Sequence, residues 1–282
     1  MRLPRLPLVL RQLFRRRIVM GATIALLLVV LVSVFAGALS GFDPNETAVS
    51  QRLARPSGEH LLGTDELGRD LYSRIVHGAR YSLAIAALTA LGSVIAGTVL
   101  GLMAGFFRRL DTPLMRVVDA MMSFPDILLA IALVAILGPS MLNVVFALVL
   151  VYTPRVARVV RASTLVVREL LFVEAARAVG VSTGRILLRH ILPNLMSPIL
   201  VQASFIFAYA ILAEAALSFL GVGVPPEIPT WGTMVAGSQQ YAHEALWIVL
   251  FPGLAIILTA LSLQLLGDGV RDLLDPRLKK SM

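Results

Sequence analysis

Five stretches of this chain run for more than twenty residues without an Asp, Glu, Lys or Arg: 18–42, 81–107, 127–154, 190–213 and 245–267. A helix crossing the hydrocarbon core of a bilayer needs about 20 mostly apolar residues. The third stretch is broken by Gly138-Pro139-Ser140, which reads as a turn. Splitting it there leaves only 11 residues, 127–137, ahead of the turn. A full span must then reach back to about Met115 and take in Asp119 and Asp126. The expected architecture is an all-α integral membrane protein with six transmembrane helices, at 18–40, 81–106, 115–137, 141–160, 197–220 and 245–267.

Charge placement supports that count. Charged residues are 15% and hydrophobic ones 57% of the chain, whereas soluble domains carry about 25% charge. A soluble enzyme is therefore not expected. The net charge of +8 raises nucleic-acid binding as an option until each charge is located. Of 25 basic residues, 20 fall in the N-tail, 107–116, 155–196 and the C-tail. The other five, Arg52, Arg55, Arg69, Arg74 and Arg80, share the first outer loop. Basic residues favour the cytoplasmic side, so both termini are expected there and no nucleic-acid partner is implied. One helix over 127–154 would place the Arg-rich 155–190 segment outside. The first apolar run is too long for a signal-peptide core of about 7–15 residues, so a retained helix is expected. Ahead of it, residues 1–17 suit either an amphipathic segment on an anionic inner leaflet or a simple orienting cluster.

Catalytic chemistry is thinly supplied. The only lysines, Lys279 and Lys280, lie in the tail, so no Gly-rich turn holds a phosphate-binding lysine and the chain is not itself a P-loop ATPase. Cysteine is absent. His60, His77, His190 and His243 are scattered without HExxH spacing, and no GxSxG elbow occurs. No catalytic residue, metal site or resident cofactor is expected. A secondary transporter would place coupling charges and broken helices near the midplane, often in paired repeats. Neither the charges nor a repeat stand out. A channel filter such as TVGYG is also missing.

Two loops are longer than connection requires. The first, 41–80, has turn chemistry at Asp43-Pro44-Asn45 and Pro56-Ser57-Gly58, and six acids against its five bases. It reads as ordered and polar, with no core of its own. The second, 161–196, is expected to be helical from Arg161 to Val179 and to end at Gly180, a glycine suited to a left-handed cap. Ser182 or Thr183 then caps a second helix running towards Pro193. An ordered loop of this length favours a docking element over a mere connector.

Ionisable residues inside spans are costly. Asp119 is expected to pair with Arg116, and Asp126, after Pro125, to cap a restarting helix or bond a neighbouring span. Glu214 has no basic residue in its own helix. Arg80 is one candidate partner. The alternatives are a structural interhelical hydrogen bond or a place at an outer gate. The last outer loop holds Pro225, Pro226, Pro229 and Trp231-Gly232. With the first outer loop it is a candidate face for a partner protein, or else a loop packed on its own helices.

Four blocks carry a family resemblance. The segment EAARAVGVSTGRILLRHILPNL resembles the EAA motif of ABC-importer permeases at Glu174-Ala175-Ala176, Gly180 and Leu192-Pro193, with Arg177 inside it. His190 departs from the motif where an Ile is usual, and Ile191 follows it. LGTDELGRDLYSRIVHGARYSL, ALSFLGVGVPPEIPTWGTM and LLGDGVRDLLDPRL resemble the C-type permease of dipeptide and oligopeptide importers, the peptide/nickel group. The resemblance spans roughly residues 60 to 278. It implies a type I permease fold and a heterodimer with a second permease. It also implies two cytoplasmic ATPases carrying ATP and Mg, an extracytoplasmic binding protein, and a place in a bacterial inner membrane. Glu174–Gly180 becomes the ATPase-coupling helix, within a coupling loop 161–196. Gly63, Thr64, Asp65, Gly68, Arg69, Asp70 and Trp231 become candidate contacts of the binding protein. The chain divides into a tail 1–17, a first helix and outer loop 18–80, and a permease core 81–282 ending in a tail 268–282. The cargo expected is a di- or oligopeptide, with another small solute such as a nickel chelate as the alternative.

Overall fold

The computed structural model describes residues 17–274. Residues 1–16 and 275–282, which hold nearly all of the expected N-tail and the end of the C-tail, lie outside the described residues. The helices in chain order are α1 (Arg17–Val34), α2 (Leu71–Phe106), α3 (Arg108–Met122), α4 (Asp126–Leu137), α5 (Met141–Val167), α6 (Leu171–Ala178), α7 (Thr183–Phe219), α8 (Trp231–Gly237) and α9 (Trp247–Leu274). A short turn, Ala36–Leu39, follows α1. Among the described residues there is no strand beyond one isolated bridge, Thr64 with Asp70. The all-α membrane architecture expected from the sequence is the one observed. Five helices (α1, α2, α5, α7 and α9) are long and apolar enough to cross a bilayer.

The expected third span differs. It is two helices, α3 and α4, bent by 92°. Pro125 cannot donate a backbone hydrogen bond and disfavours helical geometry at Phe124, so the chain breaks at Ser123–Pro125. A sixth crossing exists only if the bent pair is counted as one.

Several expected ends move. α2 starts at Leu71 rather than 81, because the Asp70 side chain accepts a hydrogen bond from Ser73 N and caps the helix. Arg74 and Arg80 thus sit on α2 and are satisfied there. Arg80 donates to Ser33 O and Val34 O, carbonyls at the end of α1. α5 runs through to Val167, past the expected end at 160, so Arg161 continues the same helix as Arg155 and Arg158. A break at 168–170 separates α5 from α6 where one continuous helix was expected. Pro193 does not end a helix. A π-helical turn at Ile186–Ile191 carries the register past it, with Leu192 N bonded to Leu187 O, and α7 continues to Phe219. The segment after Gly267 also remains helical, to Leu274.

Packing follows residue size. The most extensive helix pair is α2 with α5. Gly97, Gly101 and Gly105 recur every fourth residue along α2, facing Val156, Val160 and Thr164 of α5. Small residues at this spacing let two backbones approach closely, which replaces the hydrophobic driving force that lipid removes. α2 and α7 both contribute to two apolar clusters, one with α4, α5 and α6, the other with α8 and α9. α1 lies chiefly on α9 and leaves Leu27, Leu28 and Leu31 exposed, as a lipid-facing helix does.

Candidate functional site

One end of the bundle presents α6 on the connection from α5 to α7. α6 is closed by a Schellman motif. Val181 N bonds Ala176 O, Gly180 N bonds Arg177 O, and Gly180 has φ +77°. The sequence located this cap correctly. Val173 is fully buried and anchors the helix, Ala176 and Val181 pack beside it, and the Arg177 guanidinium lies 5.1 Å from the Phe106 ring centroid. Glu174, Ala175, Ala178 and Gly180 are exposed. Leu171 is 82% and Val179 84% exposed, and Leu188, on the π-helical turn that follows, is also exposed. Large apolar side chains left open outside a span suit a surface that another protein covers. Leu192 is half-buried and Pro193 exposed on the first turns that lead into α7. At the departure from the motif, Ile191 supplies the buried contact while His190 lies against Phe172, with ring centroids 6.5 Å apart.

At the opposite end, the loop between α1 and α2 is built by its own motif. Asp65 Oδ1 accepts from Leu67 N and Arg69 N, each at 2.9 Å, and Oδ2 accepts from Arg69 Nε at 2.6 Å. Arg74, 2% exposed, reaches the same carboxylate at 3.5 Å and donates to Pro44 O at 2.9 Å. Asp70 meets His60 Nδ1 at 2.9 Å, and His60 Nε2 meets Gln51 Oε1 at 3.0 Å. Gly63 and Gly68 have positive φ, and a Cβ on Gly68 would lie 1.9 Å from Ala48 O. Thr64 Oγ1 accepts from Ala54 N, and Thr64 O accepts from Trp247 Nε1.

These contacts revise an expectation. Gly63, Thr64, Asp65, Gly68 and Asp70 are buried and Arg69 is partly so. Trp231 is buried as well, donating from its backbone N to Ser82 Oγ and from Nε1 to Ile75 O, both at 3.0 Å. The motif and Trp231 therefore fold the loops inward rather than offer their side chains to a partner. The large apolar side chains this loop exposes are Phe42, Val49, Leu61 and Leu67, beside polar ones such as Arg52, Arg55 and Glu59. Polar residues at this density looked like a binding surface in sequence. They were needed to satisfy the loop's own backbone.

Glu214, 1% exposed, accepts from Ser218 Oγ at 2.9 Å and from Thr230 Oγ1 at 2.8 Å. Arg80 is not its partner, since that guanidinium is spent on α1. Glu214 ties α7 to the N-cap of α8, the interhelical bond foreseen as one alternative. Gly232 is required there, because a Cβ would sit 2.9 Å from both carboxylate oxygens. Asp119 pairs with Arg158 at 2.7 Å instead of Arg116, and Asp126 bonds Arg155 of the neighbouring helix. Asp111 with Arg161 completes the series. All three arginines were expected on helices, but their pairing with these aspartates was missed. Their spacing, three residues apart after an apolar run, was the available signal.

Comparison with known proteins adds an independent line. Residues 97–280 match the family model described as binding-protein-dependent transport system inner membrane component. Residues 6–56 match the N-terminal transmembrane domain of oligopeptide transport permease C. A putative peptide transport system permease protein of Brucella suis is 52% identical over 269 residues, covering 95% of this chain and 91% of that protein. The dipeptide transport system permease protein of Alkalihalophilus pseudofirmus is 45% identical, covering 95% and 89%. The glutathione transport system permease protein of Pectobacterium atrosepticum is 42% identical, covering 95% and 90%. Among solved structures, a chain of the inward-facing MetNI methionine ABC transporter superposes with a TM-score of 0.59 at 18% identity, covering 72% of this chain and 97% of that one.

Proposed function

The chain belongs to the family of inner-membrane components of binding-protein-dependent transport systems, and we propose that it carries di- or oligopeptides, coupled to ATPase subunits through α6. Membership makes it a multi-pass permease of an ABC importer, a transport component rather than an enzyme. Importers of this family work with a second permease, ATPases and a binding protein. The peptide cargo is read from the relatives' names, several of which specify peptides or dipeptides.

One observation carries the coupling assignment. α6 is a short capped helix held between two long spanning helices, α5 and α7, with Leu171 exposed at its start, Val179 at its end and Leu188 on the first turns of α7. A rigid element seated on a moving partner can pass its displacement to both helices as a body. ATP and Mg belong to the partner, since this chain has no lysine in a Gly-rich turn. The charge bias puts α6 and both termini on the cytoplasmic side. The loop from 40 to 70 then faces the binding protein through Leu61 and Leu67.

The test is purification of this chain from the membrane of the cell that makes it, followed by uptake in vesicles. Co-purification of an ATPase, with uptake of a labelled dipeptide that needs ATP, is the expected result. Uptake driven by an ion gradient alone overturns the assignment.

A further inference from the structure

The three ion pairs between the bent pair α3–α4 and α5 do not belong to the coupling surface. Arg155, Arg158 and Arg161 face Asp126, Asp119 and Asp111 in turn. They form a ladder that starts near the middle of α5 and descends towards α6. Lipid does not accept such a ladder. Arg155 and Asp126 are 37% and 40% exposed, and ionisable groups within spans face protein or a water-filled cavity.

The innermost pair is also the most elaborately held. The Arg155 guanidinium lies 5.5 Å from the Tyr152 ring centroid and 5.4 Å from that of Tyr209 on α7. Tyr152 is buried, whereas Tyr209 is 42% exposed. Two rings and a carboxylate thus fix a planar fork of donors beside an accessible aromatic face. Such a fork suits a carboxylate, and the facing Asp126 suits an ammonium group. The pair is neutral at rest, so a ligand carrying both signs can exchange partners with it and leave no net charge behind.

We propose that Asp126, Arg155 and Tyr209 form a station on the translocation path for the charged ends of an unblocked peptide. The carboxylate engages Arg155, the ammonium engages Asp126, and an adjoining side chain of the cargo lies on Tyr209. This rests on the peptide-importer reading above. The path runs along the exposed side of the ladder, between this chain and the second permease.

The experiment uses the complete importer in vesicles, with binding protein in excess and alanyl-alanine as the probe. Initial uptake is compared for wild type, Arg155→Gln, Asp126→Asn, Tyr209→Ala and the exchange Asp126→Arg with Arg155→Asp. Assembly is followed by co-purification of the ATPase. Arg155→Gln and Asp126→Asn are each expected to slow uptake about tenfold, the loss that follows from removing one charge-assisted contact, and Tyr209→Ala about threefold, the loss of one ring contact. The exchanged pair should not recover it, because each cargo end then meets its own sign. Recovery by the exchange makes the pair a fastener of α4 to α5 and overturns the station. Where the charge variants fail to assemble, Tyr209→Ala decides, since it leaves the ion pair intact. Wild-type uptake by that variant also overturns the station. If the wild-type complex imports no alanyl-alanine while still hydrolysing ATP, the cargo reading fails first, and the station with it.

Discussion

Gly180 shows how one residue's backbone sets where a helix ends. Its φ of +77° lies in the left-handed region, and a Cβ there would meet nothing within 4 Å. Any cost of substitution is therefore conformational. Left-handed geometry costs an ordinary residue about 1–2 kcal/mol, and more for a β-branched one. Gly180→Val is expected to unwind the cap of α6, weaken ATPase co-purification and slow uptake, while Gly180→Asn, which tolerates this conformation, keeps most of both. Normal uptake by Gly180→Val would remove α6 from the coupling role. The glycine was legible in sequence because helix caps are local. Glu214 was only half legible. Its cost inside a span could be read, but its partners Ser218 and Thr230 could not all be named. Thr230 reaches it through the fold of a loop.

Elements were legible where the pattern was local and uniform. The apolar runs became α1, α2, α5, α7 and α9. The expected third span is a bent pair, with the restart at Asp126 legible from Pro125 but not the 92° angle, which a length criterion cannot see. α3 is amphipathic and its acids are matched by arginines on α5, 39 and 50 residues away. The α2–α5 contact offers a test at this scale. A side chain at Gly101 would put Cβ 2.6 Å from Ala157 O and 2.7 Å from Val160 Cβ. Backbone cannot yield as a flexible side chain can, so Gly101→Leu should destabilise the detergent-solubilised chain by about 1–3 kcal/mol, as overpacking does. Gly21→Leu, on α1 with nothing within 4 Å of its Cβ, serves as the control. A thermal-unfolding series in which both variants match wild type would contradict close α2–α5 packing.

Orientation belongs to the whole molecule. The natural absence of cysteine makes a single introduced thiol unique. Val49 and Val179 are 77% and 84% exposed and lie on loops at opposite ends of the bundle. Val49→Cys should react with a membrane-impermeant maleimide on intact spheroplasts, and Val179→Cys only after permeabilisation. The reverse pattern would invert the topology. The sequence by itself determined the solvent, the places of the long apolar helices α1, α2, α5, α7 and α9, and the glycine cap of α6. Transfer free energy and backbone stereochemistry act on neighbouring residues and can be read along a line. The tertiary structure decided which polar residues are internal struts and which face outward, because a carboxylate's role depends on what lies across from it. Asp65 and Trp231, which looked like surface, hold loops together. Arg155, which had no partner in the sequence reading, stands paired with Asp126 halfway along a spanning helix. Those assignments are set by groups far apart in the chain, and only the packing of α2, α5 and α7 brings them within reach.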